Sequence, residues 1–219
     1  MKKIISQTAT YTIWLVGKES LYELVEFVVR ENYKHHVGYY NENNIRNEIE
    51  LVYQEELLYA DSSMSFLVRD VLGGIIGSIR IVKWNRHHVL PIQKLFGINP
   101  LSSIHTEEKY NYWHIGRFAI DSFAGISTLL LFKQLMVYAI NPIIQSENSY
   151  MIAEVDIKLL KTLNILGIQT SNLVTLKDIW PQKLFRYVPV VKIYLVFMID
   201  IRCCVAFCDR SLCLSTLGW

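Results

Sequence analysis

The stretch WHIGRFAID, residues 113–121, sets an arginine inside an apolar run, one residue before Phe118. A guanidinium taken out of water is costly unless carboxylates meet it. Arg117 therefore lies either on the solvent face of an amphipathic strand or in a buried charged site. Asp61, Glu55 and Glu56 are acidic residues suited to partner it, with Arg80, in IIGSIRI, as a second cation. Two other groups suit proton transfer. His114 has an unperturbed pKa near 6.5; it can take a proton from an ammonium directly or through water, or can be a structural histidine. Glu154, in YMIAEVD, competes for the same role. In a regular strand His114 alternates in phase with Gly116 and Phe118 rather than with Arg117, and a bulge would change that phase.

Metal chemistry has little support in the residue spacing. His35 and His36, like His87 and His88, are adjacent, so on a strand they point to opposite faces and on a helix they diverge. Neither pair chelates by itself. The four cysteines, Cys203, Cys204, Cys208 and Cys213, lie at the C-terminal end and lack the paired C-x(2)-C spacing of a zinc site. They read as small apolar residues or part of a loosely ordered tail, and no metal is expected. A disulfide framework spanning the fold is excluded, because no cysteine precedes Cys203.

The elements that must position these residues follow from periodicity. Ser20 with Glu23 forms a capping-box pattern, and Leu21, Leu24, Val25 and Val28 recur at helical spacing, which predicts a helix over about 19–35. The segment from Tyr39 to Glu50 is polar and asparagine-rich and reads as a mobile surface loop, with Glu42, Glu48 and Glu50 on a solvated face. SFLVRD, VLGG and IIGSIRIVKW read as two strands joined by a tight glycine turn. After a less regular stretch with Pro91 and Pro100, YWHIGRFAID is a third long strand. TLLLFKQLMVYAIN then suits a largely buried helix through Leu130, Phe132, Leu135, Met136 and Ala139. YMIAEVD is a short strand, IKLLKTLNILG a helix with a glycine stop, and LFRYVPVVKIYLVFMID supplies at least one more strand.

Composition narrows the class. With 52% hydrophobic residues the chain has ample material for a substantial core, and one domain is the default. The net charge is only +2 and the basic residues are scattered, so no nucleic-acid footprint is present. No apolar run reaches the roughly 18 residues of a membrane span, and the N-terminal residues lack the pattern of a secretory signal. A soluble, cytoplasmic protein without an integral membrane segment is expected.

Three motifs in order then resemble a known family: IIGSIRI (75–81), LPIQKLF (90–96) and WHIGRFAI (113–120). Together with the element order they are similar to the GNAT acyltransferase superfamily, and within it to the acyl-homoserine lactone synthases and the long-chain N-acyl amino acid synthases. In that group a G-[ST]-x-R strand, an L-x(3)-F segment and a W-E-x-S-R-F-A strand follow one another. The resemblance covers about residues 20–170 and implies an α/β (α+β) fold, with a mostly antiparallel mixed central sheet flanked by helices. Residues 1–200 are expected to form one such domain, with 201–219 a tail of no assigned role. By position, Arg80 and Arg117 match two arginines of the family's charged active-site cluster, Phe96 a family aromatic, and Asp61 an acidic residue ahead of the next strand. Arg30 and Tyr40 match the arginine and tryptophan of the first helix and following loop. Two departures stand out: His114 occupies the place of a family glutamate, and Gly116 that of a serine.

The resemblance implies an N-acyltransferase. An amine attacking a thioester needs a deprotonated nucleophile, a place for the oxyanion and a held acyl chain. GNAT-like sites splay two central strands, so the backbone N–H groups of Phe118, Ala119 and Ile120 would meet the thioester carbonyl. SFAGIS, with Ser122, Gly125 and Ser127, would be the loop into a helix N-terminus that favours phosphate, although a serine before a helix is also an ordinary N-cap. The loop lacks the several glycines of the acetyl-CoA pattern, which favours phosphopantetheine on acyl carrier protein over free CoA. The LLLFKQLMVYAI helix would line the acyl chain or simply be core. The expectation is long-chain acyl transfer from acyl carrier protein or acyl-CoA, as co-substrate, to the amine of an amino acid or similar small molecule, with no tightly bound cofactor. The alternatives are an autoinducer synthase using S-adenosylmethionine, which the loss of the glutamate at His114 disfavours, and a non-catalytic acyl-carrier or lipid-binding module.

Overall fold

The computed structural model describes residues 2–36, 41–97, 99–103, 110–155, 157–168, 170–172 and 195–200. In chain order the elements are β1 (Lys3–Gln7), β2 (Tyr11–Val16), α1 (Leu21–His36), α2 (Glu42–Leu57), β3 (Ser63–Asp70), β4 (Ile75–Lys83), α3 (Pro91–Phe96) and α4 (Pro100–Ser103). They continue with β5 (Asn111–Ile120), α5 (Thr128–Ile144), β6 (Ser149–Val155), α6 (Ile157–Ile165), β7 (Ser171–Asn172) and β8 (Leu195–Asp200). The α/β composition and the mixture of parallel and antiparallel pairs agree with expectation. The chain forms two compact units: Met1–Val82 with Gly116–Ala139, and Lys83–Ile115 with Ile140–Trp219. Both β5 and α5 therefore pass from one unit to the other.

In the first unit β1, β2, β3 and β4 pair antiparallel in sequence, with Ile13 opposite Val68 and Ser65 opposite Arg80. The N-terminal hairpin of β1 and β2 is not apparent from periodicity alone: KIISQ is largely exposed, and only YTIWLV carries the alternation, with Tyr11, Ile13 and Val16 buried. The β3–β4 turn is as expected. Asp70 Oδ1 accepts from the Leu72 and Gly74 N–H groups, and Gly73 takes φ +87°, where a side chain would be strained. Nearly all of β4 is buried, so packing on both faces explains its unbroken apolar run. A Cβ at Gly77 would stand 3.2 Å from Val68 Cγ2 and 3.3 Å from Leu135 Cδ1, so the missing side chain lets α5 lie close against the strand.

The segment read as a loop over Tyr39–Glu50 is a helix from Glu42 onward. Its polar composition masks a narrow apolar stripe. Ile45 and Ile49, one turn apart, are buried against Leu24, Val25, Val28 and Val29 of α1, and Asn41 caps the start by accepting from the Asn43 N–H at 2.9 Å. Each fully buried isoleucine is worth about 1.5–3 kcal/mol, more than the helix propensity that three asparagines forgo. In α5, Phe132, Leu135, Met136 and Ala139 are buried as expected, but Leu130 is 45% exposed. It falls off the inward stripe, which begins at Leu131.

In the second unit the first half of β5 runs parallel to β6, from Asn111 opposite Ser149 to Ile115 opposite Ala153. β6 pairs antiparallel with β8, and β8 with β7. The irregular stretch after β4 contains two short helices. Pro91 begins α3 at the first turn, where its missing N–H leaves nothing unsatisfied, and the Leu90 N–H is met by Gln93 Oε1 at 2.9 Å. α6 ends as expected at a glycine, with the Gly167 and Ile168 N–H groups on the Asn164 and Leu163 carbonyls. The cysteine tail lies outside the described residues.

Candidate active site

The first unit gathers charge around one carboxylate. Glu56, the last inward position of α2 after Ile45 and Ile49, has a side chain with 0% exposure. Arg117 Nε donates to its Oε1 at 2.8 Å, and Arg80 Nε lies 3.1 Å from its Oε2. Glu55 Oε2 is 3.8 Å from Arg117 Nη2, and the Arg80 guanidinium stands 5.5 Å from the Tyr59 ring centroid. Arg80 is itself 1% exposed. Two arginines face two glutamates, so the group is balanced in charge, and the attraction within it offsets part of the cost of taking Glu56 and Arg80 out of water. Burial, followed by the charge of Glu55, pushes the Tyr59 hydroxyl up to about 12, so it stays neutral beside the arginines.

Arg117 carries a second peculiarity. Its φ is +53°, the left-handed region, inside a strand. For a side chain larger than glycine this costs about 1–3 kcal/mol, and the residue is held from both ends. Its guanidinium meets Glu56, and its carbonyl accepts from Ser78 Oγ at 2.8 Å. Regular alternation along β5 is thus broken at Arg117, as a bulge would break it. Beyond the break, Phe118 stacks edge-on against Phe132 of α5 with centroids 5.3 Å apart, while Ala119 joins the core of α1 and α2 and Ile120 is buried.

The second unit joins the two groups that competed as proton acceptors. His114 is 1% exposed, and its Nε2 is 2.8 Å from Glu154 Oε2, on a side chain 12% exposed. Ile152 is the partner of His114 across the ladder, so Glu154, two residues on, shares its face of the strand. With Glu154 ionised, Nε2–H is the donor, since a carboxylate only accepts.

Other sequence candidates are placed elsewhere. Asp61 does not meet Arg117: its side chain is 92% exposed and pairs with Lys18 at 2.8 Å, because it sits on a surface turn just before β3. Arg30 ties α1 to α2 through Glu42 at 2.8 Å and holds Glu26 at 2.9 Å, and these carboxylates, Glu42 first, keep its guanidinium above its ordinary pKa. In the loop after β5, Ser122 is exposed and Gly125 has φ +70°. Ser127 caps α5 through its carbonyl to Leu131 N and, at 3.4 Å, its hydroxyl to Leu130 N. Phe96 closes α3 but its side chain lies outside the described residues, as does Tyr40. Ser78 and Tyr59 were not singled out in the sequence. Alternation in G-S-I-R, which sets Ser78 and Arg80 on one face, is the signal that could have found the first; nothing in the spacing marks the second. No cluster of three or more metal-ligating side chains occurs among the described residues, and no described helix is long and apolar enough to cross a membrane.

No protein-family model matches the chain, and no curated protein does. Solved structures do. The N-acyl amino acid synthase FeeM, from uncultured soil microbes, aligns with TM-score 0.61 over 90% of this chain and 94% of its own, at 13% identity. The AHL synthase LasI aligns with TM-score 0.56 over 87% and 90%, at 13% identity. An acetyltransferase of the GNAT family from Staphylococcus aureus Mu50 aligns with TM-score 0.50 over 86% and 98%, at 12% identity. The fold of the chain is thus that of the GNAT acyltransferases, as the three motifs implied.

Proposed function

We propose that the chain is an N-acyltransferase that moves a long-chain acyl group from acyl carrier protein or CoA to the amine of an amino acid or similar small molecule. The observation that carries the proposal is the convergence on one strand. WHIGRFAI, the stretch that holds the resemblance, is also where the buried ionic groups concentrate, Arg117 with Glu56 and Arg80, and His114 with Glu154. The fold shared with a synthase of N-acyl amino acids supports the same reading.

In this mechanism the amine nitrogen attacks the thioester carbonyl, the C–S bond breaks and the thiol departs. The backbone N–H groups of Phe118, Ala119 and Ile120 stabilise the oxyanion. The balanced arginine and glutamate group fixes the left-handed Arg117 and so the direction in which the strand continues. The loop with Ser122, Gly125 and Ser127 receives the phosphate of the pantetheine arm at the start of α5. A cytoplasmic location goes with such a donor.

The test is mass spectrometry of lipid extracts from cells expressing the protein, joined to thiol release by the purified chain. A new N-acylated amine is expected, and is lost in Arg117→Ala. Extracts of wild type and variant that are indistinguishable would refute the proposal. Release of methylthioadenosine would instead assign a reaction of S-adenosylmethionine, and tight donor binding without turnover would assign a binding module.

A further inference from the structure

We propose that one end of the first unit is a lipid-docking surface, where exposed turn tips insert shallowly into an uncharged bilayer interface. The inference goes beyond the acyl-transfer reading and does not depend on it.

Four chain segments reach that end. Tyr11 opposes Asp70 and Arg69 opposes Ile75, so the turn before β2 and the turn joining β3 to β4 lie at the same end of the sheet. The Asp121 N–H bonds the Ile76 carbonyl at 3.0 Å, which brings the loop after β5 to the same place. The start of α5 joins them, since Tyr11 Oη donates to Gln134 Oε1 at 2.6 Å, in the second turn of that helix. Of the five most exposed large apolar side chains among the described residues, three are here: Leu72 at 92%, Phe123 at 83% and Val71 at 73%. Leu129 and Leu130 follow at 50% and 45%.

Exposed apolar side chains gathered in one place mark a contact with protein or with lipid. Charge selects between them. None of the exposed residues within 7–10, 71–74 and 121–130 is charged, in a chain of which 19% is Asp, Glu, Lys or Arg. The charges that border the end are half-buried and held. Arg69 meets Glu23 at 2.7 Å and the Gly73 carbonyl at 2.9 Å, while Asp70 and Asp121 accept from backbone N–H groups of their own turns. Lys133, one turn after Leu129, is half-buried as well. A nucleic acid or an acidic protein therefore finds no opposing charge on this surface. What it matches is an uncharged apolar medium.

The shape favours lipid over a rigid surface. The apolar side chains stand on separate turn tips, with glycine, serine and threonine between them. A folded partner needs a hole for each tip, whereas a bilayer yields to any shape. Apolar side chains enter the acyl boundary while the small polar residues stay among the headgroups. The loop with Ser122, Gly125 and Ser127, proposed above for the pantetheine phosphate, then stands at the depth of lipid phosphates and is not buried in hydrocarbon.

Purified full-length protein is sedimented with sucrose-loaded vesicles of phosphatidylcholine, alone and with phosphatidylglycerol added, at low and high salt, without substrate. Binding to phosphatidylcholine is expected, little changed by salt or by the anionic lipid. Leu72→Ser and Phe123→Ser should each weaken it about tenfold or more, the worth of one large apolar side chain withdrawn from water, with the melting temperature unaltered. Leu51→Ser, at a position 73% exposed on α2 and outside this end, should bind as wild type does. Phe123→Trp gives a second reading, in which brominated acyl chains should quench its fluorescence more than that of wild type. Any one of three results overturns the inference: no binding to phosphatidylcholine, binding that needs phosphatidylglycerol and vanishes in salt, or binding indifferent to both serine variants. A wild type that light scattering finds dimeric, that ignores vesicles and that Leu72→Ser makes monomeric also overturns it, and assigns the end to a second copy of the chain. Should the serine variants fail to fold, Phe123→Trp decides, since quenching no greater than in wild type is incompatible with insertion at that residue.

Discussion

Replacing Glu56 by glutamine removes one charge and almost no volume. In the native chain this carboxylate has 0% exposure and faces Arg117 Nε at 2.8 Å and Arg80 Nε at 3.1 Å. Breaking a buried pair by deleting one partner costs about 3–5 kcal/mol, because the remaining charge stays out of water. Against a typical total of about 5–15 kcal/mol this is a large fraction. For a chain of this size each kcal/mol moves the melting temperature by about 2–4 °C, so a drop of roughly 6–20 °C is expected. Circular dichroism during thermal and urea unfolding measures it. A second variant separates charge from packing: Glu56→Leu with Arg80→Met substitutes apolar contacts for the inner pair and should recover much of the loss. Glu56→Gln melting within about 2 °C of wild type, a shift of less than 1 kcal/mol, would refute the view that this carboxylate compensates both arginines.

Other outcomes follow from the same geometry. Arg117→Gly should be more stable than Arg117→Ala by about 1–2 kcal/mol in urea unfolding, because both lose the ion pair but only glycine accepts φ +53° without strain. Gly77→Ala should destabilise by about 1–3 kcal/mol, since the new methyl presses on Val68 and Leu135 and neither can withdraw from a packed interior. Tyr59 has its folded pKa raised to about 12 above an ordinary 10, so its contribution is present below pH 10 and is lost as pH climbs through 12. Wild-type stability should therefore fall more steeply over that interval than that of Tyr59→Phe, as read by urea midpoints at successive pH values. Arg30→Ala should cost no more than about 1 kcal/mol in the same urea assay, its ion pairs being largely solvated.

Long apolar periodicity made α1, β3, β4, β5, α5, β6 and α6 legible in the sequence. Two of the elements that were missed carry weaker patterns. β1 is mostly exposed, and α2 hides two isoleucines among asparagines and glutamates. The site was legible by residue type and less so by partnership. Arg117, Arg80, His114 and Glu154 could be picked out because a charge in an apolar strand demands an explanation. Which acid each would meet is decided by helix phase and strand register. Asp61 and Glu56 are only a few positions apart in sequence, yet one ends in solvent and the other fully enclosed. The left-handed turn at Arg117 has no local signature, since it is imposed by what grips the two ends of the residue.

The alternation of the chain between its two units has a consequence for biosynthesis. Glu56 and Arg80 leave the ribosome early, whereas Arg117, 61 positions after Glu56, follows only when the whole of the intervening 83–115 segment has been made. At roughly 5–20 residues per second this is an interval of a few seconds. During it the nascent first unit lacks one strand half and its long helix, and carries an incompletely balanced acidic helix beside an exposed apolar sheet. Neither unit is encoded by a contiguous stretch of the gene, so no single truncation isolates one of them.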